Sequence, residues 1–283
     1  MTKLSRPWTA FAFLAALAVV TAGLVPTWMA VHAQDDQTEK EVERYRQMLK
    51  DDPWSNPGNL WVDRGEALWD RARGPKNASL AQCDLGLGPG KVDGAYAQLP
   101  RYFADADRVM DLEARLVWCM DKLQGFDPKT LAKTAFSNRD RSSDLEALTA
   151  FVANRSNGMK FSLRLEHAKE KEAYAVGEAL FYRRQGPMDF GCVTCHADDG
   201  KRIRLQQLPY FGDTKSAQEV VATWPAYRVS QETVRTMQHR MFDCYWQMRL
   251  PELDYGSDVS VALITYLTKR GEGGEINAPS LKR

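Results

Sequence analysis

Gly191-Cys192-Val193-Thr194-Cys195-His196 is the stretch of sequence that decides the fold. Two cysteines three residues apart, followed directly by a histidine, have the spacing that attaches a c-type haem. Each thiol can form a thioether with the haem, and His196 then lies beneath the iron as its proximal ligand. A thioredoxin-like motif would need a βαβ context, and a zinc site would need two further close-spaced ligands; the flanking sequence offers neither. The motif therefore predicts one covalently bound haem c.

The amino terminus has the pattern of a secretory signal peptide. Lys3 and Arg6 precede an apolar run over residues 11–25, and Val31-His32-Ala33 has the form of a cleavage site. We expect residues 1–33 to be removed by cleavage after Ala33. An uncleaved anchor is the alternative, but the run is shorter than the roughly 20 residues that a spanning helix needs. No other segment of the sequence is apolar enough to span a membrane.

The charge balance excludes one class of function. The full chain carries 38 basic and 37 acidic side chains, so it has no global field that would recruit nucleic acid or anionic lipid. An anionic ligand would therefore need a local site. Export also places the five cysteines in a compartment where disulfides persist.

An internal repeat predicts two related halves. Residues 65–75 match residues 177–187 at seven of eleven positions, at a constant offset of 112. Further matches follow in the same order: residues 99–103 with 208–211, Arg115 and Cys119 with Arg240 and Cys244, and residues 148–155 with 263–270. The repeat predicts a mainly α fold of two tandem cytochrome c-like domains, which meet near Gly158. We assign residues 34–158 to a domain without haem and residues 159–283 to the haem-binding domain.

The first half has lost the residues that would hold a haem. At the offset of 112, Leu80 falls on Cys192 and Asp84 on His196, whereas Cys83 falls on Cys195. A second cysteine, Cys119, survives 36 residues after Cys83. If the equivalent groups of the second half meet at one iron, these two thiols lie close together, and an oxidising compartment favours a disulfide. The alternative is a pair of buried free thiols.

The distal haem ligand should lie within residues 233–248, before a last helix capped by Ser257. The candidates in that segment are Met237, His239, Met241, Cys244 and Met248. Methionine or histidine is the common choice in cytochromes c. Two facts favour Cys244: the repeat pairs it with Cys119, and it is the odd cysteine once two bind haem and two form a bridge. A buried structural cysteine is the alternative at that position.

The segment that follows the haem motif carries a family resemblance. Arg240-Met241-Phe242-Asp243-Cys244-Tyr245-Trp246-Gln247-Met248-Arg249-Leu250-Pro251 resembles the SoxA family, the cytochrome subunits of the periplasmic SoxAX complex of thiosulfate oxidation. The resemblance covers essentially the whole mature chain. Some members carry two haems, and this sequence differs from those at Leu80 and Asp84. It therefore resembles the single-haem type.

The resemblance implies a role for each residue of the site. Cys192 and Cys195 would hold the haem, His196 would be the proximal ligand and Cys244 the distal ligand. Cys244 is similar to the family's active-site cysteine, which can carry a persulfide sulfur, and Arg240 stands where the family has its substrate-binding arginine.

The resemblance also implies an activity and its partners. The reaction, that of an L-cysteine S-thiosulfotransferase, joins thiosulfate oxidatively to a cysteine of the carrier protein SoxYZ, and two electrons leave to a c-type cytochrome. A small cytochrome, SoxX, would complete a heterodimer.

The residues are compatible with that chemistry, but they also allow a second interpretation of the function. Thiosulfate is a dianion with a soft sulfur end, so Cys244 could supply a sulfur nucleophile and Arg240 a planar fork for the sulfonate. On a helix these two residues share a face. The alternative is a monohaem electron carrier with methionine or histidine as distal ligand and no substrate chemistry. Secondary candidates for the same pocket are His239 and Arg249. Lys201, Arg202 and Arg204 follow the haem motif and could help to draw in the anion, but the favoured interpretation of this charge run is a solvated face or contacts with the haem propionates.

Overall fold

A computed structural model describes residues 55–203 and 206–282, together with residues 40, 41, 44, 47, 48 and 52. The predicted signal peptide, with its cleavage site after Ala33, lies outside the described residues. Residues 56–283 form one compact unit. Its helices are α1 Asn59–Asp70, α2 Leu112–Cys119, α3 Pro128–Lys133, α4 Asp144–Asn154, α5 Ala168–Tyr182, α6 Cys192–His196, α7 Thr214–Val221, α8 Met237–Gln247 and α9 Asp258–Arg270. The prediction of a mainly α fold is confirmed.

Short strands connect the helices, and within the described residues they form sheets of two or three strands. β1 and β2 pair antiparallel, as do β3 and β4, and β5 lies between antiparallel β6 and parallel β7. The strands are β1 Arg101–Phe103, β2 Arg108–Met110, β3 Arg202–Ile203, β4 Gln206–Gln207, β5 Ala226–Arg228, β6 Thr233–Arg235 and β7 Ser280–Lys282. Among the described helices, none combines the length and the apolar character needed to cross a membrane.

One helix crossing occurs twice, once in each half of the compact unit. In the first half α1 packs on α4, and a Cβ atom built on Gly65 would lie 2.1 Å from the Ala147 carbonyl oxygen. In the second half α5 packs on α9, and a Cβ atom on Gly177 would lie 2.0 Å from the Ala262 carbonyl oxygen. Any side chain at either glycine would force the two backbones apart, so the close approach explains the repeated residue.

The turn after the first helix of each half also repeats. Gly74 and Gly186 have φ angles of +70° and +74°, and Asn77 and Asp189 have φ angles of +47° and +50°. Each turn is closed by one antiparallel bridge at equivalent positions. Glycine, asparagine and aspartate are the residues that tolerate this left-handed backbone. The 112-residue offset is thus visible in the backbone as well as in the sequence.

The structure corrects one match of the sequence repeat. Residues 99–103 were paired with residues 208–211, but the hairpin of β1 and β2 corresponds to that of β5 and β6, 125 residues later. The helices that follow, α2 and α8, have side-chain caps at the equivalent positions Asp111 and Thr236. The second half inserts α7 and the β3–β4 hairpin before this point, which shifts the offset. Leu208-Pro209 lies in that insertion. It matches Leu99-Pro100 in sequence but does not occupy the equivalent position in the fold.

The hydrophobic core has two clusters that correspond broadly to the two halves. The first gathers Trp69, Leu148 and Phe151 around the first crossing, and the second gathers Phe181 and Tyr266 around the other. Because residues 56–283 form one compact unit, the boundary at Gly158 between domains 34–158 and 159–283 stays a prediction.

The predicted bridge between Cys83 and Cys119 is present. The two Cα atoms lie 5.6 Å apart, and both side chains are buried in the first core cluster. Cys119 ends α2, as Cys244 stands near the end of α8. A covalent cross-link therefore occupies the place in the first half that corresponds to Cys195 and Cys244 in the second.

Removal of this cross-link should destabilise the protein without altering the haem site. The bridge joins residues 36 apart in sequence, and a loop of that length contributes about 3–4 kcal/mol by the chain-entropy model. We expect the Cys83→Ala, Cys119→Ala double variant to lose about that much free energy of unfolding in urea titration. Wild-type protein unfolded in the presence of a reductant is the control and should move towards the variant. Equal stability of variant and oxidised wild type would contradict the prediction.

Candidate functional site

The haem motif lies on a single turn of helix. Directly before this turn, the backbone passes close to the end of α5. α6 begins at Cys192, and a Cβ atom on the preceding Gly191 would lie 2.5 Å from the Arg183 carbonyl oxygen at the end of α5. The Gly191 N–H donates to Thr194 Oγ1 at 3.0 Å, which closes the turn. Cys192 and Cys195 are half-buried free thiols on this turn. The motif therefore lies against the end of α5, the helix that packs on α9.

His196 is oriented as an axial ligand would need to be. Its Nδ1 lies 2.8 Å from the Pro209 carbonyl oxygen, which can only accept, so Nδ1 carries the proton and Nε2 keeps its lone pair. Phe211 packs edge-on against the ring, and its N–H donates to the His196 carbonyl oxygen at 3.0 Å. Burial lowers the pKa of His196, which favours the neutral imidazole. A histidine ligand is typically held in this way by a second hydrogen bond.

The third free thiol, Cys244, comes from helix α8 and faces the same region. Burial raises the pKa of the Cys244 thiol, the positive charges of Arg240 and Arg228 oppose that rise, and the Cys195 thiol adds to it. Burial likewise raises the pKa of Cys192 to about 12, with Cys244 as the next contributor. These mutual effects mean that the two cysteines of the motif and Cys244 lie within electrostatic reach of one another.

Arg240 offers an unpaired guanidinium one helical turn from that thiol. Among the residues that the structure describes, its side chain makes no hydrogen bond and no ion pair. Its counterpart in the first half, Arg115, is fully used: it donates to both carboxylate oxygens of Asp105 at 2.8 Å and to the Asp84 carbonyl oxygen at 2.7 Å. The position equivalent to Asp105 in the second half is Ser230. The second half has therefore kept the cation and lost the carboxylate that would neutralise it.

Two further arginines belong to this site and are not marked in the sequence: Arg228 acts on the thiol directly, and Arg235 lies next to Arg228 and Asp243. Arg228 lies on β5 and Arg235 on β6, and Arg235 forms an ion pair with Asp243. The pKa of Arg228 is lowered by burial and by the neighbouring charges of Arg240 and Arg235. Among the described residues, only Asp243 offsets these three guanidinium groups, so positive charge is in excess beside Cys244. No motif in the neighbouring sequence identifies Arg228 as a site residue. It reaches the site only through the folding of the β5–β6 hairpin.

The other candidates from the sequence are placed elsewhere. His239 is buried with Nδ1 bonded to Glu146 of the first half, and Met241 belongs to the second core cluster. The Arg249 guanidinium stacks over the exposed Trp246 ring at 5.6 Å. Lys201 donates to the Thr194 carbonyl oxygen, so it braces the haem motif. Arg202 lies on the exposed strand β3, and Arg204 lies outside the described residues.

The chemistry of the donor set fits a haem c. Two thiols on one turn can form thioethers, the imidazole has a free Nε2, and Cys244 is a soft ligand from the neighbouring helix. The Cys244 thiol, whose pKa is raised by desolvation, is costly to ionise in the protein alone, and metal contact would hold it as the thiolate.

Comparisons with known proteins identify the family of the chain. A family model described as "SoxA/TsdA, cytochrome c domain" matches residues 64–161, a range that ends before the haem motif begins at Cys192. The chain is 43% identical over 277 residues to the L-cysteine S-thiosulfotransferase subunit SoxA of Hydrogenophilus thermoluteolus, a match that covers 97% of this chain and 98% of that protein. It is 34% identical over 253 residues to a subunit of the same name from Hydrogenobacter thermophilus, covering 89% and 92%.

A solved structure shares the fold. The structure titled "Crystal structure of SoxXA from P. pantotrophus" matches with a TM-score of 0.69 over 85% of this chain and 84% of that chain. The sequences are 24% identical over this match, so the comparison bears on the fold alone.

Thiol counting should distinguish the three kinds of cysteine. With Cys192 and Cys195 in thioethers and Cys83 and Cys119 in the bridge, only Cys244 can react after denaturation without a reductant. We expect intact mass spectrometry to show one haem and one alkyl label per chain, and Cys244→Ala to show one haem and no label. Labels on Cys192 and Cys195 would contradict thioether attachment, and labels on Cys83 and Cys119 would contradict the bridge.

Proposed function

Because the chain belongs to the SoxA family, we propose that it is the single-haem cytochrome subunit of an L-cysteine S-thiosulfotransferase. In this proposal it joins thiosulfate oxidatively to a cysteine of a SoxYZ-type carrier protein. The observation that carries the proposal is the pairing of the half-buried Cys244 thiol with an uncompensated Arg240 guanidinium one turn away. A simple electron carrier has no need of a reactive sulfur beside an anion site.

Four residues would hold the cofactor. Cys192 and Cys195 would form the thioethers, and His196 and Cys244 would be the axial ligands of one haem c. When bound, the haem supplies a one-electron redox route. The hydrogen bond from His196 Nδ1 to Pro209 fixes the tautomer that leaves Nε2 for the iron.

The arginines would bind and orient the substrate. Thiosulfate carries two negative charges, and Arg240 and Arg228 are two guanidinium groups without a carboxylate partner among the described residues. Arg235 is already neutralised by Asp243. The planar fork of an arginine matches the oxygens of a sulfonate group, so binding there would direct the sulfane sulfur towards Cys244 Sγ. The half-buried setting excludes part of the water that would screen these charges.

The chemistry balances as two sulfur steps. In the first, a sulfur–sulfur bond forms between Cys244 thiolate and the sulfane sulfur of thiosulfate, and two electrons leave to a c-type cytochrome. In the second, a carrier thiolate attacks that outer sulfur, takes the S–SO₃⁻ group and releases Cys244 as thiolate. The carrier thiol has given up one proton to solvent. The net reaction forms one sulfur–sulfur bond, with two electrons and one proton released.

The proposal includes a location and a partner. A signal peptide over residues 1–33 would direct the chain to the periplasm, where c-type haem attachment and the Cys83–Cys119 bridge are both possible. A small SoxX-like cytochrome would form the heterodimer and receive the electrons.

Replacement of Cys244 tests the proposal directly. Cys244→Met keeps a ligand that haem accepts but removes the nucleophile, so we expect covalent haem to be retained while the thiolate signature of the ferric spectrum disappears. Thiosulfate-conjugating activity should fall by about 10³-fold or more, as for loss of a catalytic nucleophile. Met248→Leu, next to the same helix, is the control and should keep both. A wild-type spectrum typical of methionine or histidine ligation would favour the electron carrier instead.

Arg240 should control substrate binding separately from the haem. Arg240→Gln removes a charge-assisted bidentate contact worth about 1.5–3 kcal/mol, so kcat/KM for thiosulfate should fall about 10- to 100-fold. The ferric spectrum should stay that of the wild type. Arg249→Gln is the matched control, because that guanidinium stacks on Trp246. An equal loss in both variants would show that only general surface charge matters, which is not what the site predicts.

A further inference from the structure

The first half touches helix α8 through a buried carboxylate. Glu146, on α4, has no solvent exposure and accepts two hydrogen bonds, from the Ser137 N–H at 2.9 Å and from His239 Nδ1 at 2.5 Å. His239 belongs to the second half and immediately precedes Arg240. The contact joins residues 93 apart in sequence, across the two halves of the compact unit.

Aromatic packing reinforces the same contact. Phe136 of the first half stacks on the His239 ring with centroids 4.3 Å apart and planes 19° apart. The same ring packs at 5.1 Å against Phe242, one turn further along α8. The two contacts lie on one face of the helix, because residues three apart are neighbours on a helix surface.

The start of α8 is also held by the first half. Gln238 Nε2 donates to the Asp111 carboxylate at 2.8 Å, and the Gln238 N–H donates to Glu113 at 3.3 Å. Both carboxylates and Gln238 are buried. The Thr236 hydroxyl, which caps α8, accepts from the His239 N–H.

These contacts fix the rotation of α8 about its axis. Successive residues are turned by about 100°. One face, with His239 and Phe242, is held by the first half, and a second, with Met241 and Tyr245, lies in the second core cluster. The remaining face carries Arg240 and Cys244. The direction of this third face is therefore set by the residues that pack against the other two faces.

We propose that Glu146 is a positioning residue for the reaction, and that the haem-less half serves to hold the helix that carries the reactive thiol. Through His239, Glu146 sets the rotation at which Arg240 and Cys244 face the haem motif. This inference rests on the proposed function, because it concerns the geometry of that same site. A displacement of about 1 Å at reacting atoms can cost about a hundredfold in rate, so a contact remote from the chemistry can matter.

The test compares variants of one helix. Glu146→Ala frees His239, so the ferric spectrum should split into thiolate-ligated and other populations, and kcat should fall about tenfold or more at saturating thiosulfate. Ser143→Ala, which removes the buried cap of the same helix α4, is the matched control for lost stability. It should lower the free energy of unfolding and leave spectrum and kcat unchanged.

Conservative replacement separates positioning from mere packing. Glu146→Gln can keep both bonds, since its amide oxygen can accept from Ser137 and its NH₂ group can donate to Nδ1 of the other His239 tautomer. It should restore one ferric population and most of kcat. If Glu146→Ala does not fold, His239→Phe tests the same bond while keeping the stack on Phe136.

The outcomes separate the two proposals. A wild-type protein without thiolate ligation would overturn the proposed function. A wild-type protein with thiolate ligation, beside a Glu146→Ala or His239→Phe variant that behaves like Ser143→Ala, would overturn only the positioning role. Failure of Glu146→Gln to restore the signature would also contradict it.

Discussion

The orientation of helix α8 between the two halves is the constraint on which the site depends. The haem motif is held locally, by one turn of helix and a bond from His196 to Pro209. Cys244 and Arg240 reach it only because two faces of α8 are buried elsewhere, one against Phe136 and Glu146 and the other in the second core cluster. Packed interiors resist small rotations, so these two buried faces give the face with Arg240 and Cys244 a defined direction.

The two halves share the same helix crossing but differ in the groups that fill the space beside it. Each has a helix crossing that only glycine permits, at Gly65 and at Gly177. In the first half the space near the crossing is closed by the Cys83–Cys119 bridge and by an arginine locked onto Asp105. Stability there comes from a covalent cross-link and a satisfied ion pair. In the second half the equivalent groups are left free, which suits a site that must bind and react.

Electrostatics in the second half favour an anion beside a thiol. Burial alone would keep Cys244 protonated, and the surrounding guanidinium groups act against that tendency. Only Asp243 balances them among the described partners, and it is paired with Arg235. The remaining positive charge is partly removed from water, where it acts more strongly on a dianion than it would on an open surface.

The sequence by itself determined the haem motif, the internal repeat and the Cys83–Cys119 pairing, because each is a pattern of spacing along the chain. It left the distal ligand open between Cys244 and its neighbours, and it paired residues 99–103 with the wrong segment. Tertiary structure alone showed that β5 and β6 carry Arg228 and Arg235 to the thiol, and that His239 faces Glu146. Such contacts join residues far apart in sequence, and packing between halves, which no local spacing encodes, selects them.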